Sequence, residues 1–175
     1  MILSTPRLFL RQVTQGDAVS IHAYRSLPEV ARLQSWSNYE MSDAEDLVSG
    51  QTTVALDALG SWFQLAIIQR STNTLIGDCG IHFPANAPRQ VELGITLDPN
   101  HQRQGIASEA MRSVIMHLFG YMKKQCVVAV VDAKNDSAIG LFDNLGFRRQ
   151  STERVWFKGS WGEEITFAVH ANEWQ

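Results

Sequence analysis

The amino-acid sequence predicts a single-domain α/β protein with a mixed central sheet flanked by helices. One observation is the order strand, helix, strand between Val91 and Val131, a βαβ unit whose crossover is right-handed by strong preference. Another is the composition: 175 residues, 45% hydrophobic and 19% charged, without a linker, internal repeat or low-complexity tract, describe one soluble globular domain spanning residues 1–175. At this size, folding hides roughly 70% of the surface of the unfolded chain, so the core needs no staple.

The elements follow in order. Phe9 to Val13 alternates modestly after Thr5-Pro6-Arg7-Leu8, as a strand ending before Gln15-Gly16 does. Asp17 suits a helix N-cap, and that helix stops before Pro28 because a residue preceding proline disfavours helical geometry. Glu29 to Leu33 reads as a short second helix, followed by a polar loop carrying two aromatics, Trp36 and Tyr39. Ser42-Asp43-Ala44-Glu45 is a capping box, and the spacing of Leu47, Val48, Gln51, Val54, Ala55 and Ala58 predicts a helix running to near Gly60. Trp62 to Gln69 and Leu75 to Phe83 are strands joined through the polar turn Ser71-Thr72-Asn73.

In the strand Val91 to Leu97, alternation puts Val91, Leu93, Ile95 and Leu97 on one side and Glu92, Gly94 and Thr96 on the other. A helix from about Gln104 to Phe119 carries the stripe Ile106, Ala107, Ala110, Met111, Val114, Ile115 and Leu118. Cys126 to Val131 is a continuous apolar run of the kind buried on both faces of a parallel sheet. Asn135 to Leu145 is a helix closed by Gly146. Two strands, Arg148 to Lys158 and Glu164 to His170, finish the chain around a turn containing Gly159, Ser160 and Gly162.

Several function classes lose support. Cys79 and Cys126 form no CxxC pair and read as buried thiols, and the five histidines show no metal-ligand spacing, so no metal is expected. Met1 to Arg7 lacks a signal-peptide pattern and no apolar run nears the ~20 residues of a membrane span, which points to a reducing cytoplasm and no membrane partner. A net charge of -3 with scattered Lys and Arg offers no basic stripe, so nucleic acid is not expected as a partner. Phosphate-loop, GxGxxG, HExxH and GxSxG motifs are absent.

The chemistry concentrates between Asp98 and Ala107, where a strand gives way to a helix with a glycine and small residues. A helix start gathers unpaired N–H donors and the positive end of the dipole, a ready site for a pyrophosphate. Gln102-Arg103-Gln104-Gly105-Ile106-Ala107 matches the [Gln/Arg]-x-x-Gly-x-[Gly/Ala] signature of GNAT acetyltransferases, between a strand and a helix as in that superfamily. Thr5 to Arg11, Asn135 through Leu145-Gly146-Phe147, Lys158 to Trp161 and Asn172 to Trp174 resemble the branch containing the ribosomal-protein N-terminal acetyltransferases of the RimJ/RimL type. The resemblance spans essentially the whole chain.

It implies a single-domain GNAT fold whose parallel strands splay apart at an acyl-CoA site, between the strand ending at Leu97 and the one ending near Asp132. Backbone amides from Arg103 to Ala107 would hold the pyrophosphate of acetyl-CoA, with Gln102 opening the loop. Main-chain groups of Ile95, Thr96 and Leu97 would pair with the pantetheine arm, and Asn135 matches a position that contacts it. Trp36 and Tyr39 fall where the superfamily lines the acceptor pocket. The implied reaction is direct attack of a primary amine, a protein N-terminus or a small molecule, on the thioester, and a homodimer is implied by the same likeness.

An ammonium with a pKa of ~10.4 must lose a proton before it attacks, and Glu92 is the candidate base, directly or through water. Phe142 departs from the pattern, since it stands where many members place the tyrosine that protonates the thiolate. A thiolate is a fair leaving group, which leaves the acid unassigned, with Tyr39 as a loop candidate. Phe142 also favours an alternative, a catalytically degraded acyl-CoA sensor. An RNA-modifying acetyltransferase would carry a basic face that this chain lacks.

Overall fold

In the computed structural model, which describes residues 2–174, the chain runs β1 (Ile2–Ser4), β2 (Leu8–Gln12), α1 (Ala18–Arg25), α2 (Pro28–Ala31), α3 (Met41–Gly50), β3 (Ser61–Gln69), β4 (Thr74–Phe83), β5 (Gln90–Leu97), α4 (Ile106–Gly120), β6 (Cys126–Asp132), α5 (Asp136–Asn144), β7 (Arg148–Phe157) and β8 (Ser160–His170). Met1 and Gln175, the ends of the expected domain, lie outside the described residues. The strands form one sheet in the order β1-β2-β3-β4-β5-β6-β8-β7, antiparallel except where β5 meets β6.

Alternation along β3 divides the helices between the two faces. Phe63, Leu65 and Ile67 point into the core shared with Met111, Val114 and Ile115 of α4 and Phe142 of α5. Ala66 points the other way, into a second cluster with Ile21 and Tyr24 of α1 and Ala44 and Val48 of α3. The sheet is therefore covered on both faces, which explains nine-residue β3 reading as a buried run from Phe63 to Ile68.

Three expectations about elements are corrected. The third helix ends at Gly50, not near Gly60, because the Gln51 side chain turns inward: its Oε1 accepts from the Gln64 amide at 2.8 Å and its Nε2 donates to the Trp62 carbonyl at 2.9 Å. It also starts at Met41, with Asp43 accepting from the Glu40 N–H at 2.7 Å rather than through a Ser42 box. Cys126 to Val131 is not buried on both faces. The strand pairs antiparallel with β8 over its whole length, and Val130 is 45% exposed. Cys126 is accordingly only half-buried, whereas Cys79 lies fully inside.

The parallel contact between β5 and β6 is short. It joins Gln90 to Cys126, Val91 to Val127 and Glu92 to Val128, and there it stops. From Leu93 to Leu97, β5 stays bound to β4, while Ala129 to Asp132 of β6 stay bound to β8. The two strands thus part, and the gap between them has Glu92 at its closed end.

Candidate active site

The turn after β5 is built to present a helix start. Asp98 accepts from the Asn100 N–H at 2.8 Å, and the Gln102 Nε2 donates back to the Leu97 carbonyl at 3.1 Å. Arg103 (φ 58°) and Gly105 (φ 74°) reverse the chain in the left-handed region. Gly105 caps α4 without a side chain, so the N–H groups of the first turn, Ile106 and Ala107, are left facing outward at the positive end of the dipole. The N-terminal segment braces this turn from behind. Arg7 donates Nη1 to the Gln104 carbonyl at 2.8 Å and pairs with Glu109 in the first turn of α4 at 2.5 Å, and Thr5 donates to the same carboxylate.

A cleft of about 540 Å³ opens in front of the turn. Its floor is Ile95, Thr96 and Leu97, one end is Gln102, Arg103, Gly105, Ile106 and Ala107, and Asn135 stands on the opposite side. Nine of the expected cofactor residues are thereby brought together. Gln104 is not among the lining residues, since its Nε2 donates to the Asn100 carbonyl instead. The Asn135 Oδ1 accepts from the Ala138 N–H at 3.0 Å as the cap of α5, which leaves the amide nitrogen for the cleft.

The residues fit an acyl-CoA. The helix start offers donors to phosphate oxygens, Arg32 and Arg103 add positive charge, and the β5 edge past Glu92 has main-chain groups that no β6 residue uses. The wall from α2 and the turn after it, with Glu29, Val30, Arg32, Leu33 and Gln34, and the α5 wall, with Ser137, Gly140 and Leu141, were not foreseen. Nothing in the local pattern of either helix marks it as a cleft wall, because only the long-range topology brings the two to the same opening.

Glu92 does not line this cleft; it sits five residues upstream of Leu97, where the strands part. Its carboxylate is 3.4 Å from the His82 Nδ1, and both side chains are partly exposed. Trp36 and Tyr39 also lie away from the cleft. The Arg25 guanidinium sits 4.6 Å from the Trp36 ring and 5.4 Å from Tyr39, and the Trp36 Nε1 donates to the Arg25 carbonyl. Burial raises the Tyr39 phenol above its ordinary pKa, which makes it a weaker acid. Arg25 in turn pairs with buried Asp78, whose carboxylate also accepts from the Tyr24 hydroxyl and the Gln64 amide. Phe142 is 3% exposed and packs against Phe147 and Phe167 as core.

Among the described residues no cluster of three or more His, Cys, Asp or Glu is placed to hold a metal, and no helix is long and apolar enough to cross a membrane. Residues 7–148 match the acetyltransferase (GNAT) domain family. An uncharacterized N-acetyltransferase of Bacillus subtilis, YoaA, is 35% identical over 154 residues, 87% of this chain and 86% of the relative. Among solved structures, Mycobacterium smegmatis RimJ in complex with CoA-disulfide superposes with a TM-score of 0.83 at 19% identity, covering 99% of this chain and 87% of that one. Spermidine N-acetyltransferase from Vibrio cholerae in complex with CoA and spermine superposes with a TM-score of 0.81 at 18% identity, covering 97% and 98%.

Proposed function

The chain belongs to the acetyltransferase (GNAT) domain family, and from that premise we propose that it moves the acetyl group of acetyl-CoA onto a primary amine by direct attack. The observation that carries this reading is the end of β5/β6 pairing at Glu92 and Val128, which opens a gap leading from the α4 helix start to a carboxylate. Acetyl-CoA supplies an acyl group already activated as a thioester. The first-turn amides of α4, with Arg103 and Arg32, hold its phosphates, and the free main chain of Ile95 to Leu97 holds the extended arm.

An arm laid along Ile95 to Leu97 runs toward Glu92, three residues or roughly 10 Å beyond Ile95 at strand rise. There Glu92 draws the proton from the incoming ammonium, directly or through water. The acceptor is a protein N-terminus or a small-molecule amine, and both classes occur among the relatives, in the ribosomal protein bS18-alanine N-acetyltransferase of Escherichia coli and in the spermidine enzyme of Vibrio cholerae. Phe142 offers no proton to the departing thiolate, which takes up the proton released by the acylated amine, relayed by water.

That same phenylalanine favours a second reading, an acyl-CoA sensor that binds without turnover. Both readings require acetyl-CoA to bind, and a ligand at 100 times its Kd adds roughly 2.7 kcal/mol to stability. An unchanged melting temperature at millimolar acetyl-CoA would remove both. Thiol release in the presence of amines separates them.

A further inference from the structure

One rung of the sheet carries four side chains across four strands: Trp62 faces His82, His82 faces Glu92, and Glu92 faces Val128. Cross-strand partners share a face, so Trp62, His82 and Glu92 form a row that ends where the gap opens. The His82 ring stacks on Trp62 with centroids 4.9 Å apart and planes 16° from parallel. Trp62 is itself seated over bare backbone, because a Cβ on Gly80 would come within 3.0 Å of its ring. The imidazole is thus held in one plane by its neighbour on β3.

Its two nitrogens stand in different surroundings. Nδ1 is buried without a hydrogen-bond partner, and the Glu92 Oε2 lies 3.4 Å away. The contact is too long and misaligned for a hydrogen bond as it stands, and a small turn of either side chain would make it one, with Nδ1–H donating to Glu92 and the Nε2 lone pair left as the acceptor. Catalytic hydrogen bonds are commonly long before substrate binds and tighten afterwards. From β5 the group facing His82 is Glu92, from β3 it is uncharged Trp62, and no other ion pair to His82 occurs among the described residues.

We propose that His82 is a further catalytic residue: its Nε2 takes the proton from the acceptor ammonium, and Glu92 orients the ring and balances the imidazolium charge. This rests on the acetyl-transfer reading and refines it: the proton drawn toward Glu92 is taken first by His82, and Glu92 acts through the ring. An imidazole can take a proton at one nitrogen while the other hydrogen-bonds a carboxylate, so the pair can relay a proton and balance its charge. The arrangement has the logic of a base steadied by an acid, as in a Ser-His-Asp triad.

The proton balance is complete. An N–H bond of the ammonium breaks and its proton goes to the His82 Nε2. The neutral amine forms the C–N bond while the C–S bond breaks, the second amine proton goes to the thiolate to give the CoA thiol, and the imidazolium returns its proton to water.

The test is CoA thiol release from acetyl-CoA with spermidine, an aminoglycoside and an alanine-starting peptide as amine probes. The wild type is compared with E92Q, H82F, H82A and the E92Q/H82F double variant. H82F keeps a ring on Trp62 and removes both nitrogens. We expect H82F to lose roughly 10²-fold or more in kcat/KM with acetyl-CoA binding unchanged, the usual range for loss of a general base. The double variant should lose no more than the worse single one, and free imidazole should restore part of the activity of H82A. An unchanged H82F beside a defective E92Q overturns the pair while leaving Glu92 as base. Additive losses, or no rescue of H82A by imidazole, overturn it in favour of a packing role for His82. Absence of thiol release from the wild type with every probe removes the transfer reading and the pair with it.

Discussion

Gly77 and Thr96 touch so closely across the β4/β5 ladder that a Cβ on residue 77 would lie 2.5 Å from the Thr96 carbonyl oxygen. The register explains the approach. Ile67 faces Gly77 while Ile68 faces Leu75, so Ile76 is an extra residue that bulges β4 toward the end of β5. Gly77→Ala should therefore displace Thr96 and Leu97, the floor of the cleft, and cost about 1–3 kcal/mol, as overpacking does. Urea unfolding reads the stability, and titration calorimetry should read a matching loss of acetyl-CoA affinity.

Gly105 has φ 74°, so Gly105→Val tests more than crowding at the helix start. A branched residue in the left-handed region costs roughly 1–2 kcal/mol by itself. The variant should lose that stability and, in addition, at least about tenfold in acetyl-CoA affinity, equivalent to ~1.4 kcal/mol at the phosphate site. Equal calorimetric affinity for both proteins would move the phosphate site elsewhere.

Removing Arg25 should be among the most damaging single changes. It leaves Asp78 buried at 1% side-chain exposure without its cation, and breaking a buried pair costs about 3–5 kcal/mol. Arg25→Met keeps much of the packing against Trp36 and Tyr39, so a loss of that size in denaturant unfolding isolates the charge.

Two carboxylates contribute to stability toward acid. Burial opposes ionisation of Asp17 and Glu109, but hydrogen bonds from Arg11 and Thr14 to the first, and from Thr5 and Arg7 to the second, outweigh it and lower both pKa values. A depressed folded-state pKa gives stability that is present above the unfolded values, ~3.9 and ~4.3, and lost as pH falls through the folded ones. The melting temperature should thus fall below about pH 4, and less steeply in Asp17→Asn, whose scan across this range checks the sign.

How much was legible depended on the range of the determining contact. The helix start at Gly105 was readable because the requirement is local: a glycine at positive φ between a strand and an apolar stripe. The early end of α3 was not, since Val54, Ala55 and Ala58 keep helical spacing and the contact that stops the helix is Gln51 reaching Gln64 and Trp62. Glu92 is a candidate reachable from its place on the strand, whereas the contact of His82 with it depends on the β4/β5 register. Arg25 and Asp78 lie 53 residues apart, and no local pattern announces their pairing.

The most direct measurement of the central claim is CoA thiol release from acetyl-CoA by the wild type and Glu92→Gln over a panel of primary amines. The amide is nearly isosteric with the carboxylate, so the cofactor cleft is left intact. The account predicts turnover with at least one amine, and a fall of roughly 10²-fold or more in kcat/KM for Glu92→Gln at unchanged acetyl-CoA affinity. Wild-type and variant rates that coincide, or tight acetyl-CoA binding without thiol release to any amine, would contradict it.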